Sequence, residues 1–158
     1  LGSDVPFLAG GSSLAWGEGR GEVLDPLEGR FPCAGFLVFP RWSTPTAEAY
    51  RRLDHLRGAK RVSLPDRSEG EVLLGALRRG EPVGLLPNHF VPAAEDRHEE
   101  YREAWRLAEA SGARAWGLCG SGSGWFVLLD PGADPAPLGR ILGRLSWVRR
   151  LVAWEGCG

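Results

Sequence analysis

Short apolar runs and longer amphipathic stretches alternate along the chain, and each predicts an element. Gly35-Phe36-Leu37-Val38-Phe39 is continuously apolar and closes on Pro40, the pattern of a buried strand. Ala115 to Cys119 and Trp125 to Leu129 predict two further strands joined by small residues, and Val148 to Trp154 a last one. Nearer the start, Leu14-Ala15-Trp16 and Glu22-Val23-Leu24 predict two short strands about the turn Gly17-Glu18-Gly19-Arg20-Gly21.

Helical spacing fills the intervals. A first helix is expected to open near Thr46, after Thr44-Pro45, with Tyr50, Leu53 and Leu56 along one side. Ser68-Glu69-Gly70-Glu71 has the serine-to-glutamate spacing of a capping box. The helix it starts should end at Arg78-Arg79-Gly80, where basic side chains meet the negative end of the helix dipole. A third helix is predicted from about Asp96 to Ser111, with Tyr101, Ala104, Trp105 and Ala108 as its apolar stripe. Glu99/Arg102 and Glu103/Arg106 are spaced to pair on its wet side, and Gly112 stops it. After a proline-rich link, Leu138, Ile141, Leu142 and Leu145 mark a fourth. Strands, helices, a hairpin, a helix and a strand in that order predict an α+β fold, with helices covering an antiparallel sheet. The expected boundary lies near Cys33, where a glycine-rich opening gives way to the denser part.

Composition narrows the classes of function. The 158 residues are 43% hydrophobic and 25% charged, with a net charge of -1. Binders of nucleic acid or of membrane surfaces usually carry excess positive charge, so neither is expected. No apolar run approaches membrane-spanning length and no signal segment is seen, which predicts a cytoplasmic protein. Cys33, Cys119 and Cys157 are scattered, and His55, His89 and His98 form no metal-ligand spacing with them. The chain has no Met and begins at Leu1, so it is expected to be part of a longer protein. Lys60 is the single lysine, so a reaction needing a catalytic lysine must use it or draw one from outside these residues.

The loop Gly120-Ser121-Gly122-Ser123-Gly124 is the leading candidate for chemistry. Alternating glycines let backbone N–H groups turn inward as an anion nest; equally, they serve a tight hairpin. No Gly-Lys-Ser/Thr follows, so it is not a P-loop, and a strand rather than a helix comes next, so it is not a dinucleotide fingerprint. Asp4, in Gly2-Ser3-Asp4-Val5-Pro6-Phe7, is either a proton acceptor for a substrate hydroxyl or a turn residue. Tyr50 is either a stacking platform or a core aromatic. Arg51, Arg52, Arg57, Lys60 and Arg61 form a basic cluster that meets phosphate or simply faces solvent.

Several segments carry a resemblance. Leu1-Gly2-Ser3-Asp4-Val5-Pro6-Phe7 resembles the L-G-A-D-V-P-F segment of the 4-diphosphocytidyl-2-C-methylerythritol kinases of the GHMP superfamily. Gly10-Gly11 with Gly17-Glu18-Gly19-Arg20-Gly21-Glu22-Val23-Leu24-Asp25-Pro26-Leu27 is similar to that family's E-G-x-G-E-x-L-x-P-L run. Pro40 to Tyr50 is similar to its P-G-x-x-x-P-T-x-x-x-(Tyr/Phe) segment, and Cys119 to Phe126 to the S-G-S-G-x-x-x-F loop common to GHMP kinases. The blocks stand in the family's order and span nearly the whole chain.

The resemblance implies phosphorylation, by ATP with Mg²⁺, of the 2-hydroxyl of a cytidine diphosphate derivative on the methylerythritol phosphate route to isoprenoid precursors. It implies that residues 1–34 end an N-terminal kinase domain and that residues 35–158 form the C-terminal one. It makes Asp4 the catalytic aspartate, places Thr46 and Tyr50 at the border of the cytidine pocket, and sets Gly120, Ser121, Gly122, Ser123 and Gly124 beside the phosphates. The family's main ATP loop, the lysine partner of the aspartate and a Tyr-His pair lie upstream of these residues, so the 158 residues alone are expected to be inactive. Two departures stand out: Asn88-His89-Phe90-Val91 where the family has Asn-Asp-x-Glu, and Cys119 where serine is usual. Another GHMP kinase, of homoserine or mevalonate type, and a non-catalytic α+β binding module are the alternatives.

Overall fold

The computed structural model describes residues 5–12, 14–19, 21–28, 32–57 and 66–155. The chain divides into two compact units, Leu1–Pro32 with Gly156–Gly158, and Cys33–Glu155. In the first, helix α1 spans Val5–Gly10 and strands β1 (Ala15–Glu18) and β2 (Val23–Pro26) pair antiparallel, Ala15 against Pro26 and Glu18 against Val23. Gly19 and Gly21 turn the hairpin at φ +68 and +101, values that glycine alone adopts readily.

The second unit holds β3 (Ala34–Pro40), α2 (Thr46–Arg57), α3 (Arg67–Arg78), β4 (Gly84–Leu85), α4 (Val91–Arg97) and α5 (Glu100–Ala110). The chain then continues through β5 (Ala115–Leu118), β6 (Trp125–Leu129), α6 (Ala136–Gly143) and β7 (Val148–Glu155). Its five-stranded sheet runs β4-β5-β6-β3-β7. The long apolar run of β3 lies inside the sheet between β6 and β7, antiparallel to both, as its burial on both faces requires. β4, which is only two residues long and was not foreseen, pairs parallel with β5. The core joins Phe36, Val38, Trp125, Val127 and Leu129 of the sheet to Tyr101, Ala104, Trp105 and Ala108 of α5 and Leu138 and Leu142 of α6. The α+β expectation and the α5 stripe are thus both seen in the structure.

Three expectations are corrected. The capping box of α3 begins at Asp66, not Ser68: the Asp66 carboxylate accepts from Glu69 N at 3.0 Å, and Glu69 Oε2 accepts from Asp66 N at 3.0 Å. Ser68 instead donates to Asp66 Oδ1 at 2.7 Å. These bonds, that from Glu69 N foremost, hold the Asp66 carboxyl below its ordinary pKa. Second, the helix expected over 96–111 is two helices broken at His98, which is extended at φ -138, ψ 100. The break lets the His98 ring lie on Trp42, with centroids 4.1 Å apart and planes 15° from parallel. With α4 separate, Arg102 reaches Glu95 at 3.5 Å, and Arg106 Nε bonds the carbonyl of Arg102. Third, α2 buries Ala49 and Leu53, while Tyr50 is 53% exposed. Tyr50 is therefore not a core aromatic.

Candidate phosphate site at the glycine loop

The glycine loop connects β5 and β6, two buried neighbours in the sheet, so its ends are fixed. Cys119 N donates to Gly124 O at 2.9 Å and Gly122 N to Cys119 O at 3.0 Å, closing the turn. Gly120 and Gly122 have φ of +56 and +85, so side chains at either position would strain the backbone.

Three residues outside the loop brace it. Tyr101 OH donates to Ser123 O at 2.8 Å, and Ser123 Oγ donates to Trp42 O at 3.0 Å. Trp42 Nε1 approaches Tyr101 OH at 3.4 Å, which links the two braces. Asn88 Nδ2 donates to Gly120 O at 3.0 Å and to Leu118 O at 3.3 Å. Burial pushes the Tyr101 phenol up to about 12, opposed by the Trp42 bond, so it remains a neutral donor at working pH. A hydrogen-bonded frame of this kind, anchored on the buried Tyr101, holds the loop without rearrangement when a ligand arrives.

The start of α2 meets this loop. Thr46 Oγ1 lies 3.4 Å from Ser121 Oγ, so two hydroxyls converge at the helix N-terminus. One turn further along α2, the Tyr50 ring meets Phe90 edge-on, with centroids 5.0 Å apart and planes at 88°. Phe90 and Ser121 line one narrow crevice with Thr44, Ala49 and Arg52. The structure therefore gathers the loop, Thr46 and Tyr50 along one edge. Asp4 lies outside the described residues; α1 opens at the residue that follows it.

Of the basic cluster, the structure describes the side chains of Arg51 and Arg52. Arg52 pairs with Glu48 at 3.3 Å and with Asp96 at 3.6 Å, while Arg51 Nε bonds the carbonyl of Ala47. Lys60, Arg61 and the Arg57 side chain are outside the described residues. Among the described residues, no group of three or more His, Cys, Asp or Glu is placed to hold a metal ion.

Sequence reading missed the braces. Tyr101 was legible only as an apolar stripe position and Asn88 only as the surviving member of an altered motif. Their bonds join residues far apart in the chain, and no local spacing reports them.

No family model matches the chain. The 4-diphosphocytidyl-2-C-methyl-D-erythritol kinase of Salinispora arenicola is 38% identical over 152 residues, taking in 92% of this chain and 46% of that protein. The kinase of the same description from Salinispora tropica is 35% identical over 162 residues, with 99% of this chain and 50% of that protein covered. That of Chlorobaculum tepidum is 33% identical over 134 residues. A crystal structure of 4-(cytidine 5'-diphospho)-2C-methyl-D-erythritol kinase matches with a TM-score of 0.76 at 31% identity, covering 99% of this chain and 55% of that one. The chain spans about half the length of the curated relatives it matches. In sequence and in fold, it belongs with the C-terminal part of the 4-diphosphocytidyl-2-C-methyl-D-erythritol kinases.

Proposed function

We propose that the protein carrying this chain transfers the γ-phosphoryl group of ATP to the 2-hydroxyl of 4-diphosphocytidyl-2-C-methylerythritol. The product lies on the methylerythritol phosphate route to isoprenoid precursors, and the enzyme acts in the cytoplasm. The observation that carries the proposal is the likeness to that kinase over 99% of the chain, glycine loop included. The rest of the enzyme, corresponding to the other half of the relatives, supplies the main ATP loop. No helix among the described residues is long and apolar enough to cross a membrane.

Phosphoryl transfer needs positioning and charge stabilisation more than covalent help. The braced loop from Gly120 to Gly124 offers backbone and Ser121 donors to phosphate oxygens, held by Tyr101, Trp42 and Asn88 before any ligand binds. Thr46 stands against Ser121 and borders the cytidine pocket, and Tyr50 offers its exposed ring to the base. Asp4 takes the proton of the attacking hydroxyl. Mg²⁺, when bound with the nucleotide, would neutralise phosphate charge during the transfer.

Tyr50 provides the test. In the full-length kinase, Tyr50→Phe keeps the ring and should be mild. Tyr50→Ala should weaken binding of the cytidine substrate by roughly 1 kcal/mol, the scale of an aromatic pair. Substrate titration of both variants measures the difference; equal binding with an intact fold would remove Tyr50 from the pocket.

A further inference from the structure

We infer that Asn88 is a positioning residue for the phosphate loop, a role that rests on the kinase reading above. Its carboxamide divides its work. The Nδ2 hydrogens go to the carbonyls of Leu118 and Gly120, at 3.3 and 3.0 Å, on the entry side of the loop. The Oδ1 accepts from Phe90 N at 2.8 Å, and the main-chain carbonyl of Asn88 accepts from Val91 N at 3.1 Å, where α4 begins. A residue serving only the start of α4 would need the acceptors and not the donors.

The donors set which way the loop's N–H groups face. In a trans peptide the C=O and N–H point in opposite directions. Drawing Leu118 O toward Asn88 turns Cys119 N–H away from it, and that N–H closes the loop onto Gly124 O at 2.9 Å. Drawing Gly120 O toward Asn88 likewise turns Ser121 N–H away from Asn88, on the residue whose hydroxyl meets Thr46. Asn88 thus orients a phosphate donor without touching the phosphate. The neighbouring change of the family's Asn-Asp-x-Glu to Asn88-His89-Phe90-Val91 leaves this one side chain in place.

Asn88→Asp isolates the role. It keeps size and the oxygen that accepts from Phe90 N, removes both donors, and sets a carboxylate against two carbonyl oxygens. In the full-length kinase at pH 8, the KM for ATP should rise about tenfold or more, because two hydrogen bonds are lost and a carboxylate is set against their acceptors. The KM for the cytidine substrate should stay within twofold. The ATP deficit relative to wild type should shrink as pH falls, because the protonated acid regains one donor. Asn88→Ala, which loses donors and acceptor alike, should raise both KM values.

Titration with a non-hydrolysable ATP analogue, beside thermal melting, checks the same order of affinities without turnover. An Asn88→Asp variant with wild-type ATP affinity overturns the inference. So does one in which both KM values rise together at every pH, since that is the mark of general loosening. A wild-type enzyme that binds the ATP analogue but leaves the cytidine substrate untouched overturns the functional reading instead. One that binds no nucleotide overturns both.

Discussion

Replacing Asp4 by Asn in the full-length enzyme is expected to lower kcat by roughly a hundredfold or more while KM changes little. The attacking hydroxyl of a sugar alcohol has a very high pKa, so a carboxylate must hold it in line and take its proton as the new bond forms. That help is realised mainly in the transition state, and it therefore appears in kcat rather than in affinity. Asparagine keeps the size and hydrogen bonding of the side chain but cannot accept the proton. Steady-state kinetics after a thermal-melting check of the fold provide the measurement. Activity within a few-fold of wild type would leave Asp4 as a turn residue ahead of α1.

The largest effect on stability is expected at Gly35. This residue lies in β3, an inner strand of the sheet, opposite Leu128 on one side and Trp154 on the other. A Cβ there would fall on the backbone carbonyl oxygen of Val127 in β6, and a backbone atom cannot swing aside as a flexible side chain does. Gly35→Ala must push two paired strands apart, with a cost of about 3 kcal/mol, at the upper end of overpacking in a close-packed core. Gly143→Ala is the control, since a Cβ at Gly143 meets nothing within 4 Å. Denaturant unfolding of both variants should show a large loss in the first and almost none in the second. Equal stabilities would mean that β6 gives way more easily than its position suggests.

Gly35 also shows what could be read in advance. The run from Gly35 to Phe39 announces a buried strand because five apolar residues in a row suit no half-exposed element. The stripe of α5 was legible for a similar reason: Tyr101, Ala104, Trp105 and Ala108 repeat at helical spacing and are all buried. The break at His98 was not legible. It accompanies a ring stack with Trp42, which lies before α2 in the chain. The start of α3 was misread because Ser68 and Asp66 both precede a glutamate at capping-box spacing. The structure places the carboxylate of Asp66 at the cap and turns Ser68 into its donor.

Glycine spacing marked the loop as a candidate, and the resemblance set Thr46 and Tyr50 at the border of a cytidine pocket; their approach to the loop, and what holds the loop still, had no local signal. Asn88, Tyr101 and Trp42 come from separate stretches of the chain and meet at the loop only through the tertiary fold. Exposure of Tyr50 was likewise decided by tertiary packing, in which Ala49 and Leu53 take the buried side of α2.

The proposed activity is phosphoryl transfer to a cytidine diphosphate derivative. Phosphorus NMR of the full-length protein with ATP, Mg²⁺ and 4-diphosphocytidyl-2-C-methylerythritol tests it most directly, with homoserine and mevalonate as parallel substrates. The expected result is a new phosphomonoester on the 2-hydroxyl of the cytidine compound, formed as ATP is converted to ADP, and no comparable product from the other two. Transfer to homoserine or mevalonate in preference to the cytidine compound, or no transfer to any of the three by a folded enzyme, would contradict it.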